Sequence, residues 1–138
     1  MIRQVSPVWP ACWGYSCTGP TTYFGPKHFN ASGANGFTIT LDVKLETDAV
    51  FSIGASAGKS SFAGIRLDSK NGTAPFSVGK FHKVAVTFKT DSVTATLDGK
   101  PLTQAGGVVG KGIADGFFIE MSIDRYIFAD VDNFMLSA

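Results

Sequence analysis

Aromatic residues crowd the start of the chain, in a segment that is also rich in proline and glycine. Four of them could contact a ligand: Trp9, Trp13, Tyr15 and Tyr23. Tryptophan and tyrosine rings stack on the flat C–H faces of sugars, while polar groups nearby bind the sugar hydroxyls. The four residues therefore predict a carbohydrate-binding platform. The alternative is that the two tryptophans cover a sheet and fill its core, because large aromatic side chains are mostly buried.

The acidic residues are spaced too widely to hydrolyse a glycosidic bond. Glu120 and Asp124 are the nearest candidates, and four residues along one strand separate their Cα atoms by about 13 Å. A retaining glycosidase needs about 5–5.5 Å between its two carboxyl groups, and an inverting one needs about 6.5–9.5 Å. We therefore expect no catalytic residues, and we predict that the chain alone is not an enzyme.

A second acidic pair, Asp130 and Asp132, lies two positions apart on the last predicted strand. Residues two apart share one face of a strand, so Phe128 and Phe134 lie on the same face as the carboxylates if the strand is regular. The two like charges repel, and burial costs still more unless the carboxylates are paired or bind a metal. The alternative is an exposed edge strand on which both aspartates are solvated.

Alternating apolar and polar residues predict strands along most of the chain. In Phe37–Leu45 every odd position is apolar and every even position is polar, which buries one face of a strand and exposes the other. The same pattern runs through residues 79–102 as two strands joined by a tight turn, with a second turn at Asp98-Gly99. Further strands are predicted at residues 49–54, 62–67, 116–123 and 126–136.

These strands predict the fold class. About nine or ten short strands separated by turns, with no convincing helix, indicate an all-β fold of two antiparallel sheets packed as a β-sandwich. No internal repeat or linker divides the sequence, so we predict a single domain over residues 1–138.

Composition and charge argue against two kinds of partner. The formal net charge is +1, and lysine and arginine are scattered singly, whereas nucleic-acid-binding proteins concentrate positive charge on one face. No apolar run approaches the roughly 20 residues that span a bilayer. We therefore expect neither nucleic-acid binding nor a membrane-spanning segment.

Short motifs bear on the compartment. Asn30 and Asn71 each begin an N-glycosylation acceptor motif, and together they favour a secreted or lysosomal-type protein. Cys12 and Cys17 lie in one loop and could form a local disulfide or remain as two thiols.

Three segments resemble the concanavalin A-like jelly roll: FTITLDVKL, GKFHKVAVTFKTDSVTATLDGKPL and FADVDNFMLSA. That superfamily includes lectins, laminin-G-like modules and carbohydrate-binding domains. A narrower signal comes from the N-terminal segment, which reads IRQVSPVWPACWGYSCTGPTTYFG. Through Arg3-Gln4-Val5, the proline- and tryptophan-containing stretch and the late Asp-Asn-Phe, the chain resembles the C-terminal lectin-like domain of galactosylceramidases. These are lysosomal-type glycoside hydrolases that act on galactosylceramide.

The resemblance implies a non-catalytic domain that binds a galactose-containing glycan or glycolipid. In that family a (β/α)₈ barrel carries two catalytic glutamates, and this sequence contains none of the barrel. The chain is therefore interpreted as a domain excised from a longer glycoside hydrolase, whose barrel would lie in cis. The alternative is a free-standing laminin-G-like module for protein interaction or adhesion, with no sugar ligand.

The resemblance also implies a calcium ion. In the family the aspartate of the Asp-Asn-Phe ending helps to hold a structural Ca²⁺, and here that residue is Asp132, with Asn133 beside it and Asp130 two positions earlier. Calcium suits oxygen ligands of this type. The family's other side-chain ligands come from an initial strand that would precede Met1. Without that strand, a water molecule or a lysine could take the place of the ion.

Overall fold

The structure is a computed structural model that describes residues 2–4, 21–24, 36–56, 62–71, 75–110, 118–125 and 127–137. These residues form eleven β-strands and no helix. The first six strands are β1 (Ile2–Gln4), β2 (Thr21–Phe24), β3 (Phe37–Leu45), β4 (Val50–Ser56), β5 (Phe62–Asp68) and β6 (His82–Phe88). The other five are β7 (Val93–Leu97), β8 (Lys100–Leu102), β9 (Val108–Val109), β10 (Phe118–Ile123) and β11 (Ala129–Ser137). Across these ranges there is thus no helix of the length and apolarity that crossing a bilayer requires.

The strands form two sheets that enclose a common core. One sheet has six strands in the order β1-β11-β3-β6-β7-β8, and the other has five in the order β2-β10-β4-β5-β9. Every pair is antiparallel except β1 with β11, which is parallel. The predicted all-β sandwich of two antiparallel sheets is therefore confirmed, with one parallel pair that the alternation did not predict.

The core consists of the inward positions of alternating strands. In β3 the five apolar residues at odd positions are at most 2% exposed. Burial of each such side chain stabilises the fold by about 1.5–3 kcal/mol. The ring of Phe37 stacks on that of Phe88 in β6, with 4.7 Å between their centroids. The inward and outward faces predicted for β3 and β6 are confirmed.

The turn between β7 and β8 also agrees with prediction. Asp98 has a φ of 52° and Gly99 a φ of 80°. Two consecutive residues with positive φ are typical of a type I′ turn, which matches the twist of the strands it joins. The turn adds β8 as an edge strand to the six-stranded sheet.

Strand β11 contains one extra residue. Its register against β3 runs without interruption to Asp132 and resumes at Met135, so Asn133 and Phe134 together face a single residue of β3. Asn133 has a φ of 51°, a left-handed conformation that asparagine adopts more readily than most residues. The bulge reverses the alternation, so Phe134 and Leu136 pack against the core.

Two expectations for β11 are therefore wrong. Phe134 does not share a face with Asp130 and Asp132, because the strand is not regular. Nor is β11 an exposed edge strand with solvated aspartates, because it lies between β1 and β3 and Asp130 is buried.

Candidate functional site

The outer face of the five-stranded sheet has a strip without side chains at its centre. Along β4 the core residues alternate with Ser52 and Gly54, which lie on the outer face. Their partners on β5 are Arg66 and Gly64, and Ser122 of β10 pairs with Ser52 from the other side. We call the surface formed by these five residues the glycine face.

The close approach of β4 and β5 requires glycine at both central positions. A Cβ on Gly54 would lie 2.2 Å from the carbonyl oxygen of Ala63 and 2.8 Å from the Cα of Gly64. A Cβ on Gly64 would lie 2.3 Å from the carbonyl oxygen of Ile53. These contacts are with backbone atoms, which cannot move aside unless the strands separate. The strip lacks side chains because strand packing excludes them, and both glycines are buried.

Two polar side chains of the glycine face make no hydrogen bond or ion pair with the described residues. Ser52 is 8% exposed, yet its hydroxyl has no hydrogen-bond partner among the described residues. Leaving a buried polar group unsatisfied costs about 1–3 kcal/mol, so such groups are rare in folded proteins. Arg66, next to Ser52 on β5, is exposed and forms no ion pair within the described ranges.

The glycine face borders the strand that carries one of the predicted sugar-binding residues. Half-buried Glu120 of β10 pairs with Gly54 on one side and with Tyr23 of β2 on the other. The remaining predicted sugar-binding residues and both cysteines lie outside the described residues: Trp9, Trp13, Tyr15, Cys12 and Cys17. The aromatic platform and the disulfide therefore stay predictions.

Asp124, the second member of the widely spaced acidic pair, has a structural role. Its carboxylate accepts the backbone N–H of Val50 at 2.9 Å and lies 3.4 Å from Nε of Arg125. The N–H of Val50 is the largest influence and lowers the pKa of Asp124, although burial opposes it. The carboxylate thus remains charged and holds the end of β10 against the start of β4.

Asp130, a predicted metal ligand, is paired with a lysine. This aspartate is 6% exposed, and its carboxylate lies 3.7 Å from Nζ of Lys44 on β3. The same ammonium group lies 5.1 Å from the centre of the Phe81 ring. The ammonium group of Lys44 thus partly neutralises the buried carboxylate of Asp130.

The other two predicted metal ligands hold the bulge of β11. Asp132 pairs with Asp42 directly across from it on β3. The side-chain amide of Asn133 donates to Oδ2 of Asp42 at 2.7 Å, and its backbone N–H donates to Oδ1 of Asp132 at 2.8 Å. Among the described residues, no three His, Cys, Asp or Glu side chains are grouped so that they could hold a metal. These residues alone do not fit a calcium site, and calcium binding stays a prediction.

A serine, a histidine and an aspartate meet near the turn between β7 and β8, a grouping that the spacing did not predict. Nδ1 of His82 lies 2.6 Å from Oδ2 of Asp98. Nε2 lies 2.9 Å from the backbone oxygen of Ser77, 3.2 Å from its backbone nitrogen and 3.4 Å from its hydroxyl. The hydroxyl is the most distant of these partners, and His82 is only 1% exposed. The imidazole therefore joins a loop to a turn.

Asp98 completes this connection through its second oxygen. Oδ1 accepts the backbone N–H of Lys83 at 2.9 Å. Burial is the largest influence on this carboxyl group and raises its pKa, but the hydrogen bonds from His82 and Lys83 outweigh it and the pKa is lowered. The aspartate is thus held in its charged form at the base of the hairpin.

No protein-family model matches the sequence, and no curated protein matches it significantly. Solved structures of Trypanosoma rangeli sialidase are similar in fold. The covalent intermediate with 2,3-difluorosialic acid covers 74% of this chain at 20% identity, with a TM-score of 0.54. The sialidase without a named ligand and its complex with the inhibitor DANA both have a TM-score of 0.53, at 18% and 20% identity.

The match spans only 20% of the length of each sialidase. At such low identity the similarity shows the fold alone. It agrees with the two-sheet β-sandwich that the structure shows. It does not show the narrower resemblance to galactosylceramidases.

Proposed function

We propose that the chain is a carbohydrate-binding module without catalytic residues of its own, and that the glycine face is its sugar-binding surface. The observation that carries the proposal is the buried Ser52 hydroxyl, which lacks a partner in the described ranges and lies beside the bare strip of Gly54 and Gly64. Gly54 and Gly64 are buried in the free protein, so binding requires the strip to be uncovered; a sugar ring placed on it then meets only backbone beneath it. One of its hydroxyls can then satisfy Ser52.

The dimensions of the glycine face suit this role. Ser122, Ser52 and Arg66 occupy three adjacent strands in one row, and two strand spacings cover about 10 Å. That width accommodates one pyranose ring together with its hydroxyls. Serine hydroxyls both donate and accept hydrogen bonds, so they can pair with sugar hydroxyls in either direction.

The resemblance noted in the sequence supports a galactose-containing glycan or glycolipid as the ligand. Trp9, Trp13 and Tyr15 would supply ring stacking from the segment that precedes β2 along the chain. The pairing of Tyr23 with Glu120 brings the end of that segment to the border of the glycine face. In this proposal the catalytic residues belong to a glycoside hydrolase barrel in cis, in a secreted or lysosomal-type compartment.

Calorimetric titration with methyl galactoside and lactose tests the proposal. We expect saturable binding to the wild-type protein, and a two- to tenfold loss of affinity in Ser52→Ala, roughly the effect of one neutral hydrogen bond. Ser137→Ala removes an exposed hydroxyl from the other sheet and is the matched control, with unchanged affinity expected.

Stability measurements separate binding from folding in the same variants. Ser52→Ala removes a buried hydroxyl that has no partner in the described residues, so its melting temperature should equal or exceed that of the wild type. A protein that binds no galactoside, or a Ser52→Ala variant with undiminished affinity, would contradict the proposal.

A second candidate function, a laminin-G-like interaction module, is favoured by apolar residues exposed near one end of the six-stranded sheet. Val78, Phe81 and Phe128 are 39%, 44% and 36% exposed. Exposed aromatic residues beside charged ones are typical of protein–protein interfaces. The sugar titration separates the two candidates, because an interaction module should respond to no galactoside.

A further inference from the structure

Arg66 gives the glycine face a cation that pairs with none of the described residues. It is exposed, and it forms no ion pair within the described part of the chain. The next residue on the same side of β5 is Asp68, whose Oδ1 accepts the backbone N–H groups of Lys70 and Asn71, both at 2.9 Å. That carboxylate is engaged in its own turn and does not neutralise Arg66.

Arg125, another arginine near this sheet, pairs with an aspartate. Nε of Arg125 lies 3.4 Å from Oδ1 of Asp124, and the pair sits at the end of β10. Glu120 borders the glycine face in the row of Gly54 and Gly64. It is two strands and one row away from Arg66, which is about 12 Å. Screening over that distance is substantial at physiological salt, where the Debye length is about 8 Å. An anion beside Arg66 is therefore repelled little by Glu120.

The partners of Arg66 define what such an anion must carry besides its charge. Ser52 is the residue directly across from Arg66, and its hydroxyl is buried without a partner in the described ranges. A guanidinium pairs with a carboxylate through two parallel hydrogen bonds. A ligand that satisfies both residues needs a carboxylate and a hydroxyl a few ångströms apart. It also needs a flat body to lie over the strip of Gly54 and Gly64.

We infer that the preferred ligand of the glycine face is an acidic sugar, with its carboxylate on Arg66 and a ring hydroxyl on Ser52. The inference rests on the proposed carbohydrate-binding function and narrows its ligand to sugars that bear a carboxylate. In this arrangement Arg66 is the residue that determines specificity, and Ser52 contributes to the binding of acidic and neutral sugars alike.

A matched pair of ligands tests the inference. Methyl galactoside and methyl galacturonoside differ only in that the second carries a carboxylate in place of the C6 hydroxymethyl group. Calorimetry on the wild-type protein should show that the galacturonoside binds about tenfold more tightly, the effect of one charge-assisted interaction. This preference should shrink as salt is raised, because a partly exposed ion pair is screened.

Three variants test whether Arg66 causes the preference for the galacturonoside. Arg66→Gln should bind both sugars with the affinity of the wild type for the neutral one. Arg66→Lys keeps the charge but not the paired geometry, so it should retain part of the preference. Lys100→Gln removes a positive charge from the edge of the other sheet and should leave the preference unchanged. Arg66 is exposed, and equal melting temperatures will show that its variants fold.

The outcomes separate the inference from the proposed function. If the galactoside binds as tightly as the galacturonoside, or Arg66→Gln keeps the preference, the inference is overturned and the proposed function stands. If neither sugar binds the wild-type protein at millimolar concentration, both are overturned. A preference lost equally in Lys100→Gln would assign it to net charge and also overturn the role of Arg66.

Discussion

Replacing Asn133 with alanine tests whether the bulge in β11 depends on an asparagine. Two contributions are lost together. Asn133 has a φ of 51°, and an ordinary L-residue in the left-handed region costs about 1–2 kcal/mol. Its amide also donates to Asp42 at 2.7 Å, and at an exposed position such a hydrogen bond contributes about 1 kcal/mol. We expect the free energy of unfolding to fall by about 2–3 kcal/mol in Asn133→Ala.

Asn133→Gly separates the two contributions. Glycine adopts positive φ without strain, but it loses the hydrogen bond to Asp42, and its greater freedom in the unfolded chain costs about 0.5–1 kcal/mol. The glycine variant should therefore be less stable than the wild type, yet more stable than the alanine variant. Urea denaturation followed by circular dichroism measures all three, with the slope of the transition as a check on two-state behaviour.

Deletion of Asn133 tests the bulge more directly, because Asn133 is the extra residue of β11 relative to β3. Without it, Asp132 stays outside, Phe134 and Leu136 stay inside, and Met135 stays opposite Thr40. Deletion of Met135 is the matched control. It turns Leu136 outward, and exposing a leucine costs about 1.5–3 kcal/mol.

Two results would refute this account of the bulge. One is that Asn133→Ala and Asn133→Gly are both as stable as the wild type, so that neither φ nor the hydrogen bond matters. The other is that deleting Asn133 destabilises the protein as much as deleting Met135 does, so that the extra residue does not set which side chains face the core.

Three further predictions concern packing, pH and metal. Gly64→Ala should lower the free energy of unfolding by about 3 kcal/mol, since its Cβ would strike backbone. Gly79→Ala should cost less, about 1–2 kcal/mol, because no atom lies within 4 Å of its Cβ and only its φ of 84° is strained; denaturant midpoints compare the two. The pKa of Asp98 is lowered because the hydrogen bond from His82 helps to outweigh burial, so its stabilising effect is full above the ordinary pKa of 3.8 and is lost as the pH falls below it. Asp98→Asn should therefore lose less stability than the wild type when melting is followed into this acid range. If Asp132 holds calcium, millimolar Ca²⁺ should raise the melting temperature above that in EDTA, and Asp132→Asn should abolish the rise; equal midpoints in the wild type would reject the calcium prediction.

The strands were predictable where the pattern is local. Phe37–Leu45 is observed with the predicted bounds, because strict alternation leaves one arrangement that buries its apolar side. The hairpin of β6 and β7 could be predicted for the same reason. Asp98-Gly99 is a turn because its residues tolerate positive φ. The fold class follows from many such segments.

The features that escaped prediction depend on pairs of distant residues. The bulge at Asn133 is visible only against β3, and the bare strip exists because Gly54 lies across from Gly64. One signal for the His82 contact was present: a histidine at an inward position of a strand needs a polar partner. The identity of that partner, Asp98, depends on how the strands pair.

The glycine face was missed for a related reason. Glycine and serine carry little chemical signal in a sequence, and Arg66 reads as an ordinary surface residue. Only strand pairing shows that Ser52 and Arg66 adjoin each other beside a strip free of side chains. The aromatic residues gave the stronger signal, and they directed the prediction to the segment before β2.

Strand β3 lies between β6 and β11, and its contact with β11 joins residues 91 positions apart. During translation, β3 leaves the ribosome long before β11 does, and one of its edges remains open while the intervening strands are synthesised. An open strand of alternating apolar residues readily pairs with a neighbouring nascent chain, and distant partners find each other slowly. The yield of folded protein in a cell should therefore rise with chaperone supply. The yield of refolding from urea should fall as the protein concentration is raised.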